Sequence, residues 1–291
     1  MERRRKGPGA GKPRGLQLGE KDLELLWFLA EHRMALPGHV AALLGTSEAA
    51  ARSRLARLVD AGYVRKDPLF YKQPAMYLIA RAGLGVIGSA LPTPRRDVHT
   101  YEHDAGVGWL WIAARHGTFG RVREIVGERR MRSHDGARDR DSHPTSEPLA
   151  VKLGGLGPGG RESLHYPDLL LRTADGRRVA LELELSSKGR ARLNKIMAGY
   201  AADPRIDGVV YLVPTASLAR SVKAAARRAG IPELVHIQRV RSTVSSPAAA
   251  PTRVAQRSAR AAHVGGPSPE WFRSPAARCP APRIDSSPSS P

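Results

Sequence analysis

Apolar residues recur at helical spacing along the first quarter of the chain and predict three helices followed by two strands. The segment GEKDLELLWFLAEHRM predicts a helix whose inward side carries Leu23, Leu26, Trp27 and Ala30. PGHVAALLG predicts a short second helix, with Pro37 near its start and Gly45 just after its end. TSEAAARSRLARLVDAG predicts the third helix, capped by Thr46 or Ser47 and closed by Gly62. YVRK and AMYLIA then predict two short strands around the loop DPLFYKQP.

The third helix has a basic outer side and an apolar stripe made of Ala51, Leu55, Leu58 and Val59. Three helices followed by a hairpin is the element order of a winged helix, whose third helix enters the major groove of DNA while the wing contacts the backbone. The residues that would contact DNA are Arg52, Ser53, Arg54 and Arg57 on the helix, with Arg65, Lys66 and Lys72 in the wing. The alternative is a helix-turn-helix that serves protein contact or dimerisation.

Helices and strands alternate in the rest of the chain. VHTYEHDAGVGWLWIAARH predicts a helix, GRVREIVGERRMR a strand, and the Gly-, Asp- and Ser-rich stretch 133–163 a long loop. After an acidic hairpin, SSKGRARLNKIMAGYAAD predicts a helix capped by Ser186 or Ser187. DGVVYLVP and LVHIQ predict strands on either side of the helix TASLARSVKAAARRAG, which Thr215 caps and Gly230 closes.

The acidic hairpin, HYPDLLLRTADGRRVALELELSSKGR, sets carboxylates among leucines. A three-residue loop, Ala174-Asp175-Gly176 with Gly176 in the left-handed region, gives the register that the apolar pattern selects. One face then collects Leu169, Leu171, Val179, Leu181, Leu183 and Leu185. The other face collects Asp168, Leu170, Ala180, Glu182, Glu184 and Ser186, with Asp168 directly across from Glu182.

Facing carboxylates repel, so Asp168 and Glu182 require a cation between or beside them. Mg²⁺ is one answer, because it binds one or two carboxylates plus waters, and an Arg or Lys side chain is the other. A metal site, an ion-pair network and a solvated face are therefore the open alternatives. His99 and His103 lie four residues apart on a predicted helix, which indicates either a second metal-site candidate or surface and capping roles.

Composition indicates a polyanionic partner. Lys and Arg number 47 against 27 Asp and Glu, for a net charge of +20. Nucleic acid is favoured over a membrane, since no amphipathic stretch pairs a broad apolar face with basic residues; a merely Arg-rich protein is the alternative. The single cysteine, Cys279, excludes intramolecular disulfides and Cys-based zinc sites. No apolar run approaches the ~20 residues of a membrane span, so we expect a cytoplasmic protein.

Composition also divides the chain. Residues 1–17 are basic and residues 241–291 are rich in Pro, Ser and Arg, so both are expected to be disordered tails. The prolines of LPTPRRD indicate a linker at 91–97. This linker would join a first domain at 18–90 to a second domain at 98–240.

The acids of the hairpin form a recognisable motif. YPD, which ends at Asp168, followed by ELE, which spans Glu182 and Glu184, resembles the PD-(D/E)XK nuclease-like superfamily. The resemblance implies that Asp168 and Glu182 hold Mg²⁺, and that a lysine two residues after the second acid helps to activate water. Glu184 occupies that lysine position here, and Lys188 or Lys195 of the following segment would substitute for it. All five residues are catalytic candidates if the site is active.

The order of motifs points to a narrower family. Residues 20–88, and SRLARLVDAGYVRK above all, resemble winged-helix DNA-binding domains. The motifs EHD, GERRMR and YPDLLL…LELELS follow this segment in order. Together with it, they make residues 20–238 resemble the replication-relaxation family of plasmid and integrative-element proteins. The resemblance implies an α+β N-terminal winged helix-turn-helix followed by an α/β restriction-endonuclease-like domain. It also implies binding of double-stranded DNA in plasmid or mobile-element replication or transfer, with a relaxase, a replication initiator or a second copy of the chain as further partners.

Three functions follow from these observations. The first is a DNA-binding protein whose nuclease-like domain binds or assembles without cutting, and Glu184 in place of a lysine favours it. The second is an active Mg²⁺-dependent DNA endonuclease, which the intact pair of Asp168 and Glu182 supports. The third is a winged-helix transcriptional repressor with a dimerising C-terminal domain.

Overall fold

A computed structural model of the chain describes residues 16–68, 74–95, 97–141 and 145–240, and these residues form a mixed α+β protein. The first part contains α1 Glu20–Glu31, α2 Pro37–Leu44, α3 Glu48–Asp60, β1 Val64–Asp67, β2 Met76–Ile79 and α4 Arg81–Val86. β1 and β2 pair antiparallel. The predicted order of three helices and two strands is confirmed, whereas α4 was not expected. The predicted tails lie outside the described residues, apart from positions 16 and 17.

Local chemistry sets the ends of α2 and α3. Gly45 follows α2 with a φ of 61°, a left-handed value that glycine adopts at little cost. The hydroxyl of Ser47, rather than Thr46, caps α3 by accepting a hydrogen bond of 3.2 Å from the backbone N–H of Ala50. Gly62, with a φ of 78°, follows α3 and turns the chain into β1. Gly45, Ser47 and Gly62 therefore place the boundaries of α2 and α3 as the sequence predicts.

The inward side of α1 differs from the prediction. Leu23 and Trp27 are 36% and 47% exposed, so neither belongs to the core. Leu26 and Ala30 are buried as predicted, and the other buried side chains of this helix are Asp22, Leu25, Phe28 and Leu29. Because LELLWFLA is apolar at almost every position, its pattern predicts a helix but does not fix which side turns inward.

The second part is built on a five-stranded sheet with the order β3-β6-β7-β8-β9. Its strands are β3 Val122–Gly127, β6 Leu169–Thr173, β7 Arg178–Leu183, β8 Gly208–Val213 and β9 Val235–Arg239. β6 pairs antiparallel with both β3 and β7, whereas β7, β8 and β9 run parallel to one another. Parallel strands need crossovers, and α7 (Arg190–Ala202) and α8 (Ala216–Arg228) supply them on one face of the sheet. Helix α5 (Tyr101–Arg115) packs on the other face.

The hairpin of β6 and β7 has the predicted register. Leu169 faces Leu181, and Gly176 adopts a φ of 91° in the three-residue loop. The leucine face packs against α5, as the alternation of the sequence requires. On the opposite face, Leu170 and Ala180 are buried under α7 and α8. The acid-bearing face is thus apolar along most of its length, and its carboxylates are confined to one end.

The prediction for residues 121–163 is wrong in two places. ERRMR belongs to the helix α6, Glu128–Arg138, whereas the predicted strand ends at Gly127 as β3. Only Met131 and Asp135 of that helix are buried, so its charged sequence carries little apolar periodicity. The expected loop 133–163 contains the end of α6 and a hairpin, β4 Val151–Leu156 with β5 Glu162–His165.

The start of α7 also differs from the prediction. Gly189 precedes the helix, and neither Ser186 nor Ser187 caps it. The reason lies in the sheet, because the N–H of Glu184 still donates to the carbonyl of Leu212 on β8 at 3.0 Å. The chain therefore stays extended past the end of β7 and becomes helical only later.

Helix α5 contacts both parts of the chain. Ile112 is buried in the core formed by α1, α2 and α3, with Trp109 packed against it, whereas Ala114 is buried against the sheet. Arg33, just after α1, pairs with Glu128 of α6 at 3.2 Å. The domain boundaries at 90 and 98 remain predictions, but the two parts share an apolar and ionic contact along α5 and α6.

Candidate functional site

The basic side of α3 faces outward, as predicted. Arg52, Ser53 and Arg57 are exposed, and Arg54 is half-buried. Arg52 pairs with Glu48 one turn earlier on the same helix, which partly neutralises its charge. Arg54 and Arg57 pair instead with a carboxylate on α1.

A buried carboxylate on α1 orients both of these arginines. Asp22 is 2% exposed, and its side chain accepts a hydrogen bond from Arg54. The second carboxylate oxygen lies 3.6 Å from Arg57 Nη2 and also accepts the N–H of Gly19 at 3.1 Å. A charged hydrogen bond to a desolvated carboxylate is stronger than a surface ion pair. Asp22 therefore fixes the direction in which α3 presents its guanidinium groups.

A depression of about 170 Å³ opens beside these arginines, between α1, α2 and α3. Its polar lining consists of Lys21, Thr46, Ser53, Arg54 and Arg57. Three cations and two hydroxyls around one space are the donors that a phosphate group requires. The first strand extends the basic surface with Arg65 and Lys66, which are both exposed, while Lys72 lies outside the described residues.

The predicted acids meet at one end of the sheet, where we call Asp168, Glu182, Glu184 and Lys188 the acidic cluster. Asp168 directly precedes Leu169, which forms the last pair of the β6–β7 ladder. Its carboxylate accepts a hydrogen bond of 2.7 Å from the backbone N–H of Leu183 on β7. Glu182 lies in β7, and Glu184 follows the strand. The charges of all three carboxylates raise the pKa of Lys188, although burial opposes them. The three carboxylates therefore lie near one another at this end of the sheet, and the direct facing of Asp168 and Glu182 stays a prediction.

Glu182 is the most buried acid of the cluster, at 1% exposed. Its Oε1 atom accepts a hydrogen bond from the hydroxyl of Tyr200 on α7 and lies 2.5 Å from Nε2 of His165 on β5. Burial raises the pKa of this carboxyl, but the charges of His165 and Lys188 and the bond from Tyr200 more than offset it, so the pKa lies below its usual range. Glu182 therefore ties the β4–β5 hairpin and α7 to the sheet.

Glu184 and Lys188 form an ion pair with an Oε2 to Nζ distance of 2.6 Å. Burial raises the pKa of Glu184 most, the charges of Glu182 and Asp168 add to it, and Lys188 lowers it. Lys195, the other substitute lysine, is exposed on α7, while the inward side of that helix faces the sheet. Of the two candidates, Lys188 belongs to the cluster and Lys195 does not.

His103 is a further cation beside the cluster. Its Nε2 atom lies 3.3 Å from Asp168 Oδ1. Burial would lower the pKa of this imidazole, but the carboxylates of Asp104 and Asp168 raise it from 6.5 to about 10. His99 lies before α5 and is exposed, so the two histidines do not share a helical face. Of the two alternatives for this pair, the surface role matches His99, and a metal site formed by both histidines is not supported.

The acidic cluster in this arrangement does not fit a resident Mg²⁺ ion. Each carboxylate already has a donor from the chain itself, and the cations His103 and Lys188 lie where a dication would be repelled. No group of three or more His, Cys, Asp and Glu side chains in the described residues could hold a metal ion. Of the three alternatives that the sequence leaves open, the ion-pair network matches these contacts.

Three residues of these sites escaped sequence reasoning. Asp22 was missed because the prediction centred the inward side of α1 on Leu23 and Trp27, which are exposed. His165 is the first residue of the predicted acidic hairpin, but the structure places it at the end of β5, and no pattern assigned it a role beside Glu182. Tyr200 was correctly placed on the apolar side of α7, but nothing in that pattern indicates that its hydroxyl reaches Glu182.

Comparison of the chain with protein-family models and with curated proteins finds no match. The resemblance to the replication-relaxation family therefore depends on the motifs quoted above and stays a prediction. Among the described residues, no helix has both the length and the apolar character needed to cross a bilayer.

Proposed function

We propose that the chain binds double-stranded DNA through the outer side of α3, and that its second part binds or assembles without cutting DNA. The observation that carries the proposal is the depression where Lys21, Arg54 and Arg57 converge with the hydroxyls of Thr46 and Ser53. Its donors suit a backbone phosphate beside the major groove. The net charge of +20 supports the same choice of partner.

Buried support for the arginines strengthens the proposal. A flexible surface arginine loses side-chain entropy when it binds a phosphate, whereas one already held by Asp22 loses less. Arg57 is still 51% exposed, so it can contact a ligand without leaving its partner. The outer side of α3 is therefore both cationic and preorganised.

Fluorescence anisotropy of a labelled duplex tests DNA binding. Replacing Arg57 with Ala should weaken binding and reduce the slope of log K against log salt by about 1, the value for one lost phosphate contact. Arg220→Ala is the matched control, because it removes the same charge from an exposed position on α8. Equal affinities and salt slopes for the two variants would exclude α3 as the contact surface.

The proposed absence of cleavage is supported by the internal pairing of the acids. Asp168, Glu182 and Glu184 each have donors within the chain, and no lysine occupies position 184. A setting in plasmid or mobile-element replication or transfer, beside a relaxase or a replication initiator, is proposed from the family resemblance. Light scattering of the purified protein with and without duplex tests the proposed homodimer.

An Mg²⁺-dependent endonuclease is the second candidate, and one observation favours it. Nζ of Lys188 lies 2.6 Å from Glu184, and the negative charges of Asp168 and Glu182 also act on it. The superfamily pattern requires a lysine beside these acids. Incubation of supercoiled plasmid with Mg²⁺ separates the two functions, with Asp168→Ala as the control. Nicking by the wild type that the variant lacks would establish the endonuclease; equally intact plasmid in both samples would remove it.

A further inference from the structure

The β4–β5 hairpin is firmly attached at its base. Val151 is fully buried, and Gly199 of α7 packs so closely that an added Cβ atom would lie 2.9 Å from the carbonyl oxygen of Lys152. His165, at the end of β5, contacts the buried carboxylate of Glu182. The position of the hairpin base relative to the sheet is therefore fixed.

The outer half of the same hairpin projects into solvent. Leu156 is 74% exposed, more than any other large apolar side chain in the described residues. Around it, the exposed glycines adopt left-handed φ values between 70° and 76°, at positions Gly154, Gly155, Gly159 and Gly160. Because these glycines lack side chains, Leu156 stands clear of its neighbours at this end of the ribbon.

The charge at this end is positive. The segment from Val151 to Arg161 contains no acidic residue, and Arg161 is exposed. The first acid, Glu162, faces Leu156 across the hairpin and is paired with Lys152 at 3.0 Å. An exposed leucine on a narrow ribbon with a cationic end suits the minor groove of DNA, which attracts arginines and accepts apolar wedges between base steps.

We infer that the β4–β5 hairpin is a second DNA contact, in which the outer end enters the minor groove and Leu156 inserts between base pairs to bend the duplex. This inference rests on the proposed DNA binding by α3. A wedge of this kind unstacks a base step and bends DNA by about 20–90°, which lets a longer stretch of duplex contact the protein. The minor groove of undistorted DNA is only about 6 Å wide, so entry of the ribbon requires the groove to open as the duplex bends, and the glycines reduce the opening that is needed.

Energy transfer between dyes at the two ends of a duplex measures the bend in the full-length protein. The wild type should bring the dyes closer, Leu156→Ser should abolish that change, and Leu156→Phe, which retains a wedge, should preserve it. Leu164→Ser is the matched control, because Leu164 belongs to the same hairpin but is only 37% exposed. It should leave the bend unchanged.

The outcomes separate this inference from the proposal on which it rests. Wild-type protein that binds the duplex without bending it, or Leu156→Ser that bends it fully, would overturn the role of the hairpin and leave α3 binding intact. Absence of any duplex binding by the wild type would overturn both proposals. Dissociation of a wild-type dimer by Leu156→Ser, with the bend retained, would show that the leucine contacts a second copy instead.

Discussion

Acid should destabilise the fold through two histidines buried where α1 and α2 meet α5. His32 and His39 are 4% and 0% exposed, and their rings lie 5.7 Å and 4.5 Å from those of Trp111 and Trp109. Burial lowers the pKa of both imidazoles from 6.5 to about 3; the charges of His39 and Arg129 add to the effect at His32. Both rings are therefore neutral in the folded protein at ordinary pH.

The sign and size of the effect follow from these values. A pKa that is lower in the folded state gives stability that is fully present above pH 6.5 and is lost as the pH falls toward 3. At pH 5, about 1.5 units below the unfolded pKa, each histidine lowers the free energy of unfolding by about 2 kcal/mol. The pair lowers it by about 4 kcal/mol, a large share of the roughly 5–15 kcal/mol of a typical protein.

Urea unfolding of the wild type and of the double variant His32→Leu, His39→Asn at pH 7 and pH 5 measures this contribution. Asn at position 39 keeps an acceptor for the N–H of Leu36, which donates to His39 Nδ1 at 3.1 Å. The loss of stability between the two pH values should be about 4 kcal/mol smaller in the double variant. His99→Gln, at an exposed histidine, should lose as much as the wild type. Equal losses in wild type and double variant would refute the reasoning, because contributions from other groups cancel in the comparison.

Three further predictions concern the sites. Asp22→Asn should weaken duplex binding in the anisotropy assay because Arg54 and Arg57 lose their anchor; unchanged affinity with an unchanged fold would show that the arginines need no support. Tyr200→Phe removes a donor from buried Glu182 and should lower the free energy of unfolding by about 1–3 kcal/mol in urea, and a change near zero would mean that His165 alone satisfies the carboxylate. Added Mg²⁺ should leave the melting temperature of the wild type unchanged, since His103 and Lys188 already neutralise the acids; a clear rise would indicate a metal site after all.

Secondary structure was predicted correctly where a residue type is favoured by a single local conformation, such as a left-handed turn or a helix cap. Gly176 and the strict alternation of leucines and acids determined the register of the β6–β7 hairpin, and Thr215 capped α8 as expected. Prediction failed where several arrangements satisfy the same pattern. The apolar run of α1 is compatible with more than one inward side. In α6 the only buried apolar residue is Met131, so the charged sequence shows no apolar repeat that would predict a helix.

The candidate site was predictable only in part, for a related reason. Alternation along two strands brought the three acids together, because the chain between them is short and its turn is fixed. Their partners come from α5, β5 and α7, and the contact between Tyr200 and Glu182 depends on how a helix packs on a sheet. Nothing in local spacing determines such a contact, so the neutralising partners of the acids were visible only in three dimensions.

The packing of helix α5 determines how stable a truncated N-terminal fragment would be. Ile112 fills space among the side chains of the N-terminal helices, and burying one such side chain contributes roughly 1.5–3 kcal/mol. A fragment that stops at residue 97 would leave that pocket open to water and His32 and His39 uncovered by Trp111 and Trp109. Helices α1, α2 and α3 therefore depend on α5 for part of their stability, and a fragment that ends before α5 should fold more weakly than the full chain.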